Sequence, residues 1–290
     1  MDFSKHFLKA KRPCTDGFRW YIRHCPDVSN YQETLDALVA DGRANDACWL
    51  LDQFGPTDGV RELDSLDAEA MVFAGTLIVR GHVDAGQLLR CGRSLHVDGG
   101  IRCGGDLRTG EDLRCEGALH VGGQLEVGGD LRVHWSIDAH GDMNVGGELR
   151  SGWGVTCGGG LALGGNAHVG GTLQADGEVR CGKGLQCGED LIAARIRAAQ
   201  GILAGQSIEC GTHLEAGWGI RAGDAITAGG AIRSGEGLEA GGEIRAGRDY
   251  GIFAGLDVQR ADWESSARIV AARRPDGLMS GLWTGPEAGR

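Results

Sequence analysis

A six-residue repeat runs through most of this chain and restricts the folds open to it. A large aliphatic residue recurs at every sixth position from residue 77 to residue 191, one residue is then lost, and the spacing resumes from 196 to 244. Only Ala167 interrupts the run of large side chains. The repeated positions are Leu77, Val83, Leu89, Leu95, Ile101, Leu107, Leu113, Leu119, Leu125, Leu131, Ile137, Met143, Leu149, Val155, Leu161, Ala167, Leu173, Val179, Leu185, Leu191, Ile196, Ile202, Ile208, Leu214, Ile220, Ile226, Ile232, Leu238 and Ile244.

Each hexad predicts a short strand followed by a glycine turn, as in Leu125-Glu126-Val127-Gly128-Gly129-Asp130. The first and third side chains lie on one face of a strand and the second lies on the other face. With 53 glycines and 5 prolines in 290 residues, and no period of three, collagen is excluded and a compact helical domain is disfavoured. One hexad cannot bury its own apolar face, so the copies must stack into a β-solenoid.

A spacing of 18 residues aligns similar residues and indicates three hexads in each coil. We therefore predict a mainly β fold, a three-sided parallel β-solenoid of 18-residue coils with a small N-terminal helical cap. The aligned acids and bases predict an outward ladder of ion pairs. The aligned sets are Asp112-Leu113-Arg114, Asp130-Leu131-Arg132 and Glu148-Leu149-Arg150; Trp135 and Trp153; and Arg80, Asp98, Glu116 and His134 at the fourth position.

The two ends of the chain lack the repeat. Residues 1–70 are predicted as a helical cap, residues 71–258 as the solenoid, and residues 259–290 as an irregular cap or docking arm. Apolar spacing predicts helices from Tyr31 to Ala40 and from Ala44 to Phe54. Ser29-Asn30 is a helix-start signal, and Gly42 and Gly55 are placed to end the two helices. A cap of this kind covers the strand edge of the first coil, and the alternative is that these helices have a separate binding function.

Cysteine is common in the repeat, and its positions predict structural filling. Such cysteines act as small apolar residues, and their spread over three walls favours neither a metal site nor a disulfide ladder. Buried thiols, an N-terminus without the apolar core of a signal peptide, and the lack of a membrane-spanning stretch predict a cytoplasmic protein. Seven of the ten cysteines occupy the inward third position: Cys91, Cys103, Cys115, Cys157, Cys181, Cys187 and Cys210.

The sequence contains no recognisable catalytic, phosphate-binding or cofactor motif, so we expect a non-catalytic protein without a metal or cofactor. A hexapeptide acyltransferase is the remaining enzymatic interpretation, because those enzymes also use six-residue coils. Here, however, the second position is polar, the fourth is glycine, and no inserted loop is available for a catalytic histidine.

The repeat of residues 119–131 resembles that of bactofilin-type, polymer-forming cytoskeletal solenoids. That resemblance implies a self-assembling scaffold. The chain also resembles, more loosely, the solenoid immunity proteins of bacterial polymorphic toxins, which pair a short helical head with repeats such as Ala-Gly-Trp-Gly-Ile-Arg-Ala-Gly at 216–223. This second resemblance implies that the chain binds a toxin domain.

The charge of the chain favours a protein partner over nucleic acid or an anionic membrane. The net charge is −11 and the pI is about 5.3, and such a surface steers basic proteins toward it. We predict a protein-binding solenoid of the immunity type that neutralises a basic, nuclease-like toxin. The alternative is a bactofilin-like scaffold, and self-association is compatible with both interpretations.

One wall of the predicted solenoid combines residue types that are enriched at interface hot spots, tryptophan and arginine. The alternative interpretation is that the arginines pair with neighbouring acids while the tryptophans cover a junction between coils. The predicted partner-binding residues are His96, Arg114, Arg132, Arg150 and His168 on the wall, with Trp135 and Trp153 at its corner.

Overall fold

The computed structural model describes residues 5–11, 13–24 and 30–285. It is a parallel β-solenoid of about twelve turns that follows a group of short helices, which confirms the predicted fold class. The helices are Lys5–Ala10, Thr15–His24, Tyr31–Ala40 and Ala44–Phe54 near the N-terminus, and Trp263–Ser266 near the C-terminus.

The solenoid has three flat sides, and wall 1 is a separate sheet of 13 parallel strands. Leu131 pairs with Leu113 below it and Leu149 above it, which confirms the 18-residue coil. The strands of wall 1 are Val60–Leu63, Thr76–Val79, Leu95–Val97, Leu113–Cys115, Leu131–Val133, Leu149–Ser151, Ala167–Val169, Leu185–Cys187, Ile202–Ala204, Ile220–Ala222, Leu238–Ala240, Arg268–Val270 and Leu282–Trp283.

The other two sides, walls 2 and 3, form one sheet of 19 strands. Four long strands turn the corner between them: Leu66–Phe73, Val83–Cys91, Leu173–Cys181 and Leu191–Ala198. The other strands of wall 2 are Ile101–Cys103, Leu119–Val121, Ile137–Ala139, Val155–Cys157, Ile208–Cys210, Ile226–Ala228 and Ile244–Arg245. Those of wall 3 are Asp106–Thr109, Leu125–Val127, Met143–Val145, Leu161–Leu163, Leu214–Ala216, Ile232–Ser234, Ile252–Phe253 and Leu278–Ser280.

The core is a continuous column of aliphatic side chains enclosed by the three walls. In the strand Leu131–Val133 the first and third side chains are buried and the second is exposed. Leu131 has no exposed surface, and complete burial of a leucine stabilises the fold by about 1.5–3 kcal/mol. The aliphatic repeat is therefore what binds one coil to the next.

Glycine after most strands allows successive coils to approach closely. A methyl group on Gly128 would overlap the carbonyl oxygen of Gly110 in the coil below, and a methyl group on Gly146 would overlap that of Gly128. A side chain at this fourth position therefore has no room in most coils. The need for close backbone approach explains the glycine content of the repeat.

The loss of one residue between Leu191 and Ile196 shortens one coil at the corner between walls 2 and 3. Leu191 pairs with Leu173 while Ile196 pairs with Val179, so the register shifts without loss of the sheet. A similar shift occurs where Leu66 pairs with Val83. Strands begin at Val60, so the first coil includes residues that the sequence interpretation placed in the helical cap.

The four N-terminal helices form what we call the head. Its two predicted helices begin and end at the predicted residues, Tyr31–Ala40 and Ala44–Phe54. The Asn30 side chain accepts a hydrogen bond from the backbone N–H of Gln32 at 3.2 Å, as expected of an N-cap; Ser29 lies outside the described residues. Gly42 and Gly55 have φ values of 72° and 78°, so both adopt the left-handed backbone that favours glycine at a helix end.

The head packs on the first coil, and its apolar cluster includes Val72 and Ala74 of that coil. Gln32 joins the two parts. Its Nε2 donates to the carbonyl oxygen of Val72 at 3.0 Å, and its Oε1 accepts from the backbone N–H of Ala74 at 2.9 Å. The head therefore lies over the strand edge that begins the solenoid.

The C-terminal region adds three strands to the solenoid, Arg268–Val270, Leu278–Ser280 and Leu282–Trp283. Within residues 30–285, no further strand pairs with the outer edges of the last two. Met279 and Leu282 are exposed there. Among the described helices, none has the length and apolar character needed to cross a membrane.

Candidate functional site

The predicted binding residues of wall 1 form a single column on its outer face. Arg132 pairs through its Cα position with Arg114 below and Arg150 above. His168 follows Arg150, and His96 precedes Arg114. All five side chains occupy the outward second position of their hexads, because the first and third positions face the core.

An open groove of about 800 Å³ runs along this column. Arg114, Arg132, Arg150 and His168 line it, and Gln186 continues it by one coil. Small residues such as Gly152 and Gly170 form part of its lining, so the backbone is accessible between the long side chains. His96 belongs to the same column but does not line the groove.

The predicted acid and base ladder is correct for two of its three pairs. Arg132 lies 2.8 Å from Asp130 and Arg150 lies 3.0 Å from Glu148. The predicted pairing of Arg114 with Asp112 is wrong, because Arg114 instead contacts Glu116 at 2.7 Å.

Arg114 pairs differently because its coil has a second carboxylate, Glu116, beside the arginine. The Oδ1 of Asp112 accepts the backbone N–H of Asp130 in the next coil at 2.8 Å, so this carboxylate is directed along the solenoid axis. Glu116 replaces the usual glycine after the strand and presents a longer carboxylate on the other side of Arg114. Asp130 combines both roles, because its Oδ1 accepts from the backbone of Glu148 at 2.9 Å and its Oδ2 pairs with Arg132.

The groove is balanced in charge rather than strongly basic. Each of its three arginines has one carboxylate partner and remains more than half exposed. Hydrogen bonds from Asn166 and Arg150 hold the pKa of Glu148 below its ordinary value. Such exposed pairs hold the guanidinium groups in place with little net stabilisation, so their remaining N–H donors can bind a partner.

Trp135 and Trp153 stack on each other at the corner between walls 1 and 2. Their ring centroids are 6.2 Å apart, and their planes differ by 11°. The two residues are 55% and 66% exposed. A parallel pair of exposed indoles is an unusually large apolar surface for a site between polar turns, and it borders the arginine groove.

A third exposed tryptophan lies elsewhere. Trp218 is 53% exposed and precedes the wall 1 strand Ile220–Ala222, so it lies at the corner between walls 3 and 1. It has the same fifth position in its hexad as Trp135 and Trp153, a signal that could have identified it from the sequence.

A second arginine cluster on wall 3 was not predicted. Glu215 lies 3.4 Å from Arg195, 3.7 Å from Arg197 and 3.9 Å from Arg233. Arg197 and Arg233 occupy outward second positions on either side of Glu215. The 18-residue alignment of these three positions could have shown the cluster.

The seven inward cysteines are buried and unpaired. Burial raises the pKa of the Cys91 thiol to about 12 and that of Cys115 to about 11. A thiol of this kind is protonated at neutral pH and is a poor nucleophile or metal ligand. Among the described residues no group of three or more His, Cys, Asp or Glu side chains could hold a metal ion.

One part of the chain is similar to a known protein family. Residues 1–54 match the family model of the YdhT N-terminal domain. This range contains the four helices of the head and ends at the last residue of the helix Ala44–Phe54. No curated protein matches the chain, and no solved structure matches it.

Proposed function

We propose that this chain is a non-catalytic, protein-binding solenoid of the immunity type, which binds and neutralises a basic, nuclease-like toxin domain. The binding surface is the corner formed by Trp135 and Trp153 together with the adjoining arginine groove. The observation that carries this proposal is the exposed, parallel tryptophan pair beside a groove lined by three arginines.

Contacts among the side chains of this surface support a binding role. Interfaces concentrate their energy in a few residues, most often tryptophan, tyrosine and arginine. Trp135 and Trp153 follow strands of the same wall, and Asp130 and Glu148 hold two of the groove arginines. A partner would therefore meet side chains that already contact their neighbours in the free protein, which lowers the entropic cost of association.

The charge of the chain supports a basic partner. Its net charge of −11 increases the rate at which a basic protein approaches, and this steering weakens with added salt. The carboxylates that pair with the groove arginines balance their charge, so the groove does not strongly repel a basic surface. The free, buried cysteines are consistent with the reducing cytoplasm, where we place the protein.

The test is to isolate the protein with its native partner and measure the affinity of the purified pair. Replacing Trp135 and Trp153 together with serine is expected to weaken binding by more than about 2 kcal/mol, as loss of a hot spot does, with an unchanged melting curve. Trp218→Ser is the matched control, since this exposed tryptophan lies at another corner. Unaltered binding by the double variant would disprove the proposed surface.

Self-assembly into a bactofilin-like scaffold is the alternative function, and the C-terminal edge of the solenoid favours it. The strands Leu278–Ser280 and Leu282–Trp283 have no further pairing partner within residues 30–285, and unpaired edges can pair with another chain. The helices cover the opposite end, so we expect growth to stop at a dimer. A scaffold needs growth at both ends of the solenoid, so long filaments in sedimentation or electron microscopy would favour it, whereas a dimer would count against it.

A further inference from the structure

The tryptophan pair belongs to a column of corner residues that continues past it. Trp135, Trp153, Gly171 and Glu189 occupy the same position in four successive coils. The backbone N–H of Gly171 donates to the carbonyl oxygen of Trp153 at 3.3 Å, and that of Glu189 donates to Gly171 at 3.3 Å. Gly171 therefore leaves a gap between an indole and a carboxylate, and we call Trp153, Gly171 and Glu189 the corner notch.

The backbone of this turn does not require glycine at position 171. Trp153 and Glu189 carry side chains at the same position in adjacent coils. A Cβ on Gly171 would lie 3.3 Å from the backbone nitrogen of Gly154 and 3.6 Å from Oε2 of Glu189, and its φ lies outside the left-handed region. Glycine at Gly128, by contrast, avoids direct overlap with backbone.

One side of the notch is an uncovered face of the Trp153 indole. Trp135 covers one face of the Trp153 indole, because the two rings are nearly parallel. Trp135 belongs to the coil below, so the opposite face is on the side of the coil above, where Gly171 has no side chain. Trp153 is accordingly more exposed than Trp135, 66% against 55%.

The other side of the notch is the Glu189 carboxylate, which forms no ion pair with a described residue. Glu189 accepts one hydrogen bond at Oε2, from the hydroxyl of Thr172 at 2.9 Å. Among the described residues no lysine, arginine or histidine pairs with it. The acids beside the groove arginines, by contrast, are all engaged. Glu189 is thus a charge available to a ligand.

We propose that the corner notch binds an arginine side chain of the protein partner. The guanidinium plane stacks on the free face of Trp153, within the ~6 Å reach of a cation–π contact, and donates hydrogen bonds to Glu189. Coils about 4.8 Å apart place the backbones of Trp153 and Glu189 about two strand spacings apart. The Glu189 carboxylate reaches back to 3.6 Å from the Cβ position of Gly171, where it meets the edge of a flat group stacked on the indole. Arginine suits this site better than lysine because its planar cation both stacks and forms directed hydrogen bonds.

This inference rests on the proposed function only for the identity of the protein that carries the arginine. Binding of an arginine side chain to the notch can be tested without that protein. N-acetyl-arginine methylamide is titrated into the intact protein, and the indole N–H signals are followed by NMR, with Trp153→Phe to assign the relevant signal. We expect a saturable shift of the Trp153 signal. The neutral citrulline analogue is expected to bind at least about threefold more weakly, since it keeps the shape but not the charge.

Two variants examine the two sides of the notch. Gly171→Leu fills the gap and is expected to abolish the shift, while Glu189→Gln keeps the shape and is expected to weaken binding about three- to fivefold. Gly201→Leu is the control for the first, since a Cβ there would meet only the Gly219 carbonyl oxygen, at 3.4 Å. Asp224→Asn, farther along the same column, is the control for the second.

The outcomes separate this inference from the proposed function. Absence of a saturable shift in the unaltered protein, or equal binding of the arginine and citrulline compounds, would overturn the inference. Should Gly171→Leu fail to fold, Glu189→Gln still decides the question, because it changes no volume. If the native partner loses affinity when both tryptophans are replaced but binds Glu189→Gln normally, the proposed surface stands and the notch is wrong.

Discussion

The helical head and the solenoid are held together in different ways. The head has an aromatic core with contacts that occur once, such as the hydrogen bond from Nε1 of Trp20 to Asp41 at 2.5 Å and the tilted contact between the rings of Tyr31 and Phe54. The solenoid repeats one kind of contact from coil to coil, aliphatic above aliphatic, with glycine at most turns. A defect in the head is therefore local, whereas a defect in one coil is transmitted to the coils on both sides.

The strongest test of this difference places the same charge in each region. Leu131→Asp is expected to prevent soluble folding, because it buries an unpaired carboxylate between two coils that both depend on this position. Leu35→Asp, at a head residue that is equally buried, is expected to melt the helices and leave the strands intact. Circular dichroism and limited proteolysis distinguish the two results.

Arg132→Ala is the control for the solenoid variant, since it alters the next residue on the outer face. If Leu131→Asp folds while Leu35→Asp removes the β signal, the assignment of inward positions is wrong. If Leu35→Asp unfolds both regions together, the head is an integral part of the folding unit.

A smaller effect is expected from uncoupling the two regions. Gln32→Ala removes two hydrogen bonds to the first coil, at the Val72 carbonyl and the Ala74 N–H. Since these bonds are partly buried, their loss is expected to cost about 1–3 kcal/mol at the junction alone. Hydrogen exchange at the Ala74 amide is expected to accelerate by about tenfold or more, with later amides of the solenoid unaffected.

Gln124→Ala serves as the comparison for Gln32→Ala, because Gln124 is exposed in the middle of the solenoid. Uniform acceleration of exchange along the chain would mean that the head stabilises every coil, contrary to the local role assigned to it.

The smallest effect is expected on the outer face of the solenoid. Arg132→Ala breaks the exposed pair with Asp130, and pairs of this kind contribute about 0–1 kcal/mol. The melting temperature is expected to fall by no more than about 2 °C for a domain of this size. Thermal unfolding at low and high salt checks this, and a large, salt-sensitive drop would show that the groove arginines form a network that stabilises the coils.

Regular features of this protein follow directly from its sequence. The six-residue repeat determined the inward columns, because side chains alternate between the two faces of a strand. The 18-residue alignment of similar residues determined the three-sided coil, because three hexads bring the chain back to the same wall. The caps Asn30, Gly42 and Gly55 determined the ends of two helices, since capping depends on neighbouring residues. The column of Arg114, Arg132, Arg150, His96 and His168 followed from the same alignment.

Features that depend on the reach of side chains required the tertiary structure. Whether Arg114 pairs with Asp112 or Glu116 depends on how each carboxylate is placed, since Asp112 and Asp130 both accept a backbone N–H of the next coil and only Asp130 also pairs with its arginine. The junction at Gln32 joins residues 40 or more positions apart, and no local pattern marks it. The corner notch arises because Trp153, Gly171 and Glu189 are stacked, so that a missing side chain in one coil becomes a space between two others.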